Sequence, residues 1–251
     1  MAAYDNYDYP AYWEDRNYEH QSEVLAINDF FSTIGQNKKI LDIGAGYGRL
    51  AKVYRSYCKE ATLVDPSSGI LNKAKKYLNG DIKKVHFVRS SIQNLPQKMA
   101  RKKFDAVVVV RVMHHIQEPE VTLKVASQFL PKGGYLILEF ANKIHGKAIV
   151  KNFLSGNFTF PLEIFPLDKR SSRNIKKKSI LFLNHHPDVV EVCLKENGFK
   201  IIDKRSVSNI RSEIIKRHFP LKYLIKLEEA IQRPLAKLNF GPSIFILAQK
   251  T

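Results

Sequence analysis

The stretch KILDIGAGYGRL, residues 39–50, decides the fold. Ile40, Leu41 and Ile43 make a short apolar run, as a strand buried on both faces requires. Gly44, Gly46 and Gly48 follow at alternate positions, and a helix is expected from about Arg49 to Tyr57. Glycine lets the turn take backbone angles closed to other residues and leaves no side chain between backbone and ligand. The open N–H groups of the helix that follows can then meet a carboxylate or phosphate. Strand, glycine-rich turn and helix together read as a cradle for a nucleotide-type cofactor.

What the loop lacks narrows the choice. The dinucleotide fingerprint G-x-G-x-x-G needs glycine where Arg49 stands; here the third glycine comes one residue early. No Walker lysine follows, which argues against a nucleoside triphosphate. Asp42 would oppose a pyrophosphate but suits a cation such as the ammonium or sulfonium of S-adenosylmethionine. The segment resembles motif I of the class I S-adenosylmethionine-dependent methyltransferases, in the ubiquinone-biosynthesis-like (methyltransferase type 11) superfamily. The resemblance implies an α/β fold: a Rossmann-like, seven-stranded, mostly parallel sheet with helices on both faces. It also implies S-adenosylmethionine as cofactor, held by Asp42, Gly44, Ala45, Gly46 and Gly48.

Further segments fit in order. Residues 61–64 predict a second strand ending at Asp65, 21 residues after Gly44. That is the spacing of an acid that accepts hydrogen bonds from both ribose hydroxyls. Pro66 opens the next helix. Residues 90–96, SSIQNLP, resemble the family segment G-D-A-x-x-L-P, whose acid takes the adenine amino group. Ser91 stands at the acid's place and accepts more weakly than a charged group, while Ile92 could pack on the adenine face. Residues 104–110, FDAVVVV, read as a central parallel strand, and RVMHHI, residues 111–116, as the turn that ends it. There Arg111 is expected beside the methionine end of the cofactor. Residues 130–139, LPKGGYLILE, match the family's fifth-strand motif.

The flanks are read more loosely. Residues 1–35 form an aromatic arm and a helix; in related enzymes such an arm lids the cofactor, which would bring Tyr12 and Arg16 to it. Residues 36–140 are the cofactor-binding core. Residues 141–183 break the strand and helix rhythm and are expected to form a helical, aromatic cap between strands five and six. Residues 184–251 complete the sheet and add basic amphipathic stretches, with Pro220 and Pro234 expected to break residues 211–238 into short helices.

Methyl transfer from a sulfonium needs alignment first; a base is needed only if the acceptor is a phenol, enol or carbon acid. His114 and His115 at the end of strand four are the best-placed candidates, with His186 third. No grouping of side chains demands a metal. The net charge of +17 is uneven: −6 over residues 1–35, +11 over 36–140 and +12 over 141–251. Such a surface favours anionic partners: a small acidic molecule, RNA or an anionic bilayer. A small-molecule acceptor, lipidic or anionic, is expected. The alternatives are an RNA methyltransferase and a non-catalytic S-adenosylmethionine-binding protein. With two cysteines outside any CxxC pattern, an acidic and polar start, and no run approaching the ~18 apolar residues of a membrane span, a cytoplasmic protein with at most peripheral membrane contact is expected. The oligomeric state is not legible.

Overall fold

The computed structural model describes residues 10–80, 84–177 and 179–251. Tyr4, Tyr7 and Tyr9 of the expected arm, and Lys178 of the cap's basic run, lie outside the described residues. The described residues begin with a 3-10 turn (Ala11–Trp13) and α1 (Asn17–Ile34), then β1 (Lys38–Ile43), α2 (Ala51–Tyr54) and β2 (Cys58–Asp65). Next come α3 (Ser68–Leu78), β3 (Val85–Arg89), α4 (Leu95–Lys98), β4 (Ala106–Val109), α5 (Pro119–Phe129) and β5 (Tyr135–Ala141). The cap holds α6 (Gly146–Leu154), β6 (Leu167–Asp168), α7 (Ser172–Lys176) and β7 (Leu183–Asn184), with β6 and β7 paired as a ribbon of their own. The chain closes with α8 (Pro187–Glu196), β8 (Phe199–Val207), α9 (Glu213–His218), α10 (Leu221–Ala236) and β9 (Ser243–Lys250).

Seven strands form one sheet in the order β3-β2-β1-β4-β5-β9-β8. β1 to β5 run parallel, and β9 runs antiparallel to both β5 and β8. The strand order reverses between β1 and β4, so the crevice for a ligand opens at their carboxyl ends. Successive side chains of a strand face opposite ways, and the core divides accordingly. Leu41, Ile43, Val107 and Val109 pack on the face covered by Leu123 and Phe129 of α5 and Val190 of α8. Ile40, Ala106 and Val108 pack on the opposite face with Ile27, Phe30 and Phe31 of α1 and with Tyr54.

Two expectations are corrected. The helix after the glycine loop has four residues, not nine, and tightens at Arg55 into a 3-10 turn. Pro234 does not break its helix: it lies two residues before the end of α10, whereas Pro220 does separate α9 from α10. A proline forfeits only one intrahelical bond so near a C-terminus. Among the described residues no helix is long and apolar enough to cross a membrane.

The cap is rooted beside β5. Asn142 Nδ2 donates to the carbonyls of Asn239 and Gly241, and Gly146 N donates to Phe240 O at 2.8 Å. Gly241 leaves no room there: a Cβ would stand 2.5 Å from Ser206 Oγ, 2.8 Å from Asn209 Oδ1 and 2.9 Å from Val207 O. Gly241→Ala is therefore expected to destabilise the fold by about 1–3 kcal/mol through overpacking, read as a lowered denaturation midpoint. An unchanged midpoint would show that this corner is not tightly built.

Candidate functional site

The glycine loop is built by close approach. Gly44 has φ +75°, and a Cβ on it would stand 2.2 Å from Val112 Cγ2, so the loop and the end of β4 meet backbone to side chain. Four of the loop's N–H groups are spent inside the protein. Gly44 and Ala45 donate to Val64 O, Gly48 donates to Ala45 O, and Gly46 donates to Asp65 Oδ2 at 3.2 Å. With α2 so short, the anion seat expected at its N-terminus is not presented. The loop instead helps hold a carboxylate in place: Asp65 Oδ2 accepts from Gly46 N, while Oδ1 accepts from Ser67 N at 2.8 Å at the start of α3.

A cavity of about 270 Å³ opens at this point. Ile43, Gly44, Gly46 and Asp65 form its floor, and Pro66, Ile70 and Ile92 form an apolar wall. Ser90, Ser91 and Gln93 are its polar edge. The far end is Arg111, Val112, His114, His115, Ile116 and Ile180. The structure thus brings together Gly44, Gly46, Asp65, Pro66, Ser91, Ile92, Arg111, His114 and His115 from the residues singled out in the sequence. Ile70, Gln93, Val112, Ile116 and Ile180 carried no sequence signal; their place follows from the fold.

Several expected contacts lie elsewhere. Asp42 is on the α1 side of β1, where its Oδ2 accepts from Tyr54 Oη at 2.8 Å, because its parity in the strand matches Ile40 rather than Ile43. Burial raises its pKa to about 7, against the Tyr54 hydrogen bond that lowers it. Ala45 and Gly48 do not line the cavity; a Cβ on Gly48 would meet Leu78 at 3.3 Å, so this glycine serves packing against α3. Tyr12 and Arg16 stack on one another, the guanidinium 4.2 Å from the ring, and line no part of the cavity. His186 caps α8: its Nδ1 accepts from Asp188 N and its Nε2 bonds Pro161 O at 2.9 Å, away from the cavity.

The arm acts through other residues. Glu23 of α1 is fully buried and accepts from Arg49 at 2.5 Å and, through its other oxygen, from Arg111 at 2.8 and 2.5 Å. Arg49 also meets His20 Nδ1 at 2.5 Å and stacks 3.6 Å from the Trp13 ring. Trp13 packs on Ile70 of the cavity wall, and its Nε1 is buried with no partner among the described residues. Arg111 is itself held at φ +61°, its backbone N donating to the buried Glu139 at 2.8 Å. Burial works to raise the Glu23 pKa, yet Arg111 and then Arg49 hold it below the ordinary carboxylate range. Burial raises that of Glu139, against the Arg111 charge.

Burial lowers the pKa of both members of the histidine pair. Burial, then the neighbouring His115, push the His114 pKa well below the ordinary imidazole value. The His114 ring lies 4.8 Å from that of Phe182 and 3.9 Å from that of His115. His115 Nδ1 donates to Leu181 O at 2.7 Å, which makes Nε2 the lone-pair nitrogen of the neutral ring. Burial lowers its pKa too, against that bond. Among the described residues no group of three or more His, Cys, Asp or Glu could hold a metal ion.

A family model for a methyltransferase domain matches residues 41–138. Residues 41–138 are thus a methyltransferase domain of the class I, S-adenosylmethionine-dependent type. This methyltransferase is 23% identical to the tRNA 5-carboxymethoxyuridine methyltransferase of Escherichia coli (strain K12) over 264 residues, spanning 94% of this chain and 97% of that one. It is also 23% identical to the ubiquinone biosynthesis O-methyltransferase of Pelagibacter ubique (strain HTCC1062) over 189 residues, 70% of this chain and 74% of that one. The solved N-methyltransferase NodS from Bradyrhizobium japonicum WM9, in complex with S-adenosyl-L-homocysteine, shares the fold at a TM-score of 0.59 and 13% identity, with 97% of this chain and 92% of that one covered.

The methyltransferase's cofactor is S-adenosylmethionine, and the residues present fit it. The cradle would be closed by a Cβ on Gly44. Asp65 would offer a carboxylate to the ribose, Pro66, Ile70 and Ile92 an apolar wall to the adenine, and Arg111 a cation to the methionine carboxylate. Asp65→Asn is expected to weaken donor binding by about 1.5–3 kcal/mol, on the order of tenfold to a hundredfold, in isothermal titration; unaltered affinity would remove Asp65 from the site. Glu23→Gln leaves two guanidiniums without their carboxylate and is expected to cost about 3–5 kcal/mol of stability at neutral pH. Because the Glu23 pKa is depressed, that difference is present above the ordinary glutamate range and shrinks as pH falls through the folded-state pKa. Denaturation curves of both proteins at neutral and acid pH read it directly.

Proposed function

We propose that this methyltransferase moves the methyl group of S-adenosylmethionine to a small, largely apolar acceptor that must lose a proton, such as a phenol, enol or carbon acid, with His115 as the base. The observation that carries the proposal is the His114–His115 pair, whose pKa values burial lowers, set in a cavity end otherwise made of Val112, Ile116 and Ile180, with Arg111 its one cationic member. Apolar walls accept an apolar acceptor and exclude water; a neutral imidazole with its lone pair on Nε2 accepts a proton.

When bound, S-adenosylmethionine supplies a methyl carbon on an already activated sulfur leaving group. What remains for the protein is to align the acceptor and keep the site dry. Leu181 fixes the His115 tautomer, so the imidazole needs no reorganisation before it takes the acceptor's proton. His114, packed between His115 and Phe182, sets the ring's position.

A second acceptor class, RNA, is favoured by one finding: the alignment to the tRNA-modifying relative runs almost end to end, 94% of this chain and 97% of that one. The net charge of +17 is consistent with it. Incubation with labelled donor and either a lipid extract or bulk tRNA separates the two by where the label appears.

For the base, turnover on the acceptor found is expected to fall on the acid side of the ordinary imidazole value and to be level at neutral pH, because the lowered His115 pKa keeps the ring neutral there. His115→Gln should remove that acid limb and cut kcat by roughly 10²–10⁴-fold, with donor affinity unchanged. A variant with wild-type rate and pH profile would leave catalysis to alignment alone.

A further inference from the structure

The apolar side chains left on the surface are distributed very unevenly. Among the described residues before 141, Tyr77 is the one large hydrophobic side chain that is exposed. Beyond that point they crowd together. Leu154 at the end of α6 is 80% exposed, and Leu162 and Phe165 further along the cap are each 78% exposed. Phe153 and Phe158 are exposed beside them and touch edge to face, their ring centroids 5.0 Å apart. A soluble surface rarely carries so many large apolar groups in one region without a partner.

The C-terminal helices continue this region. Gly146 at the start of α6 donates to Phe240 O at 2.8 Å, and a Cβ there would stand 2.5 Å from the Phe240 ring, so α6 is seated directly on the end of α10. α10 buries Leu224, Glu228 and Gln232 on one stripe and leaves Tyr223 and Leu227 outside, alternating with Lys222 and Lys226. α9 exposes Ile214, with Arg217 and His218 in its last turn, and Phe219 just beyond it is exposed as well; Lys216 of the same turn is spent on Glu19 and Glu213. Helices that hide one stripe and present aromatic and aliphatic groups among lysines have the composition of elements lying in a bilayer interface.

Charge selects the occupant. Residues 141–251 carry a net +12. Lys147, Lys169 and Arg211 come from three separate segments and are close enough to act together on His145, the N-cap of α6. A second copy of this face would bring like charges together, and that repulsion opposes self-association. RNA would take up the lysines but leave the leucines and phenylalanines in water. An anionic bilayer satisfies both, since headgroups attract the cations and the acyl boundary receives the apolar side chains.

We propose that the face made by α6, residues 158–165 and α9–α10 docks on an anionic lipid bilayer. The proposal goes beyond the acceptor assignment and stands without it, although the cap that would touch lipid also supplies Ile180 to the cavity and Phe182, itself partly exposed, to His114.

The test is sedimentation of the full chain with vesicles of phosphatidylcholine alone and of phosphatidylcholine with phosphatidylglycerol. Binding is expected to the anionic vesicles, little to the neutral ones, and less as salt is raised. The triple variant Leu154→Ser, Leu162→Ser, Phe165→Ser changes exposed residues only. It should bind S-adenosylmethionine as the parent does and lose more than about tenfold in vesicle affinity. Lys147→Glu with Lys169→Glu should lose binding to the anionic vesicles alone. His115→Gln should bind vesicles normally, which keeps a failure of the catalytic assignment apart from a failure of docking. A donor-binding protein that stays in solution with anionic vesicles overturns the proposal. So does a triple variant that binds them like the parent, or wild-type self-association in sedimentation velocity that the triple variant abolishes, which would assign the face to a second copy.

Discussion

The buried carboxylate of Glu23 is the constraint from which the site follows. A carboxylate removed from water is costly unless it is paired and hydrogen-bonded, and Glu23 is satisfied by Arg49 and Arg111, residues from two other parts of the chain. α1 is therefore tied to the glycine loop and to the end of β4 by the same group. Arg111 in turn needs a backbone geometry that few residues besides glycine adopt, and Glu139 holds it there through the peptide N–H. Trp13 closes the arrangement from outside by stacking on Arg49, with the Arg111 guanidinium 5.4 Å from its ring. Arg49 is 7% exposed and Arg111 24%, and of the two only Arg111 lines the cavity.

The same bonds explain Arg49 in the loop. A dinucleotide cradle has glycine at that position because its helix must come close to the strand. Here the chain turns away after Gly48 into a single helical turn, and the space is filled by an arginine that reaches back to α1. The departure from the dinucleotide pattern, visible as one residue in the sequence, is thus the trace of an ion network that the sequence does not display.

This marks where legibility ends. The strand, the turn and Asp65 could be read because each depends on neighbours in the chain: apolar period, positive φ, and a fixed count from loop to strand end. That the sheet would be seven-stranded and mostly parallel was carried by the family motifs; its strand order was not read from the sequence. Asp42 misled because adjacent residues of a strand face opposite ways, so a carboxylate beside the loop in sequence can be behind it in space. His186 misled because its imidazole is spent as a helix cap on Asp188 N and as a tie to Pro161 O. Glu23 gave no signal, since its partners lie 26 and 88 residues away and nothing local distinguishes a buried glutamate in an amphipathic helix from an exposed one.

Three histidines show how the cap and the chemistry are joined. His115 bonds the carbonyl of Leu181, His185 that of Met113, and His186 that of Pro161. Two of these carbonyls belong to the cap and one to the turn that carries His114 and His115, so the cap hangs on the core through imidazoles. Leu181 stands between Ile180, which lines the cavity, and Phe182, which packs on His114. One hydrogen bond therefore fixes three things together: the tautomer of the proposed base, one wall of the cavity and the seat of the cap. A substitution at residues 180–182 made to enlarge this end of the cavity would also shift His115, the proposed proton acceptor. Changes of specificity and of rate in this enzyme should accordingly arrive together.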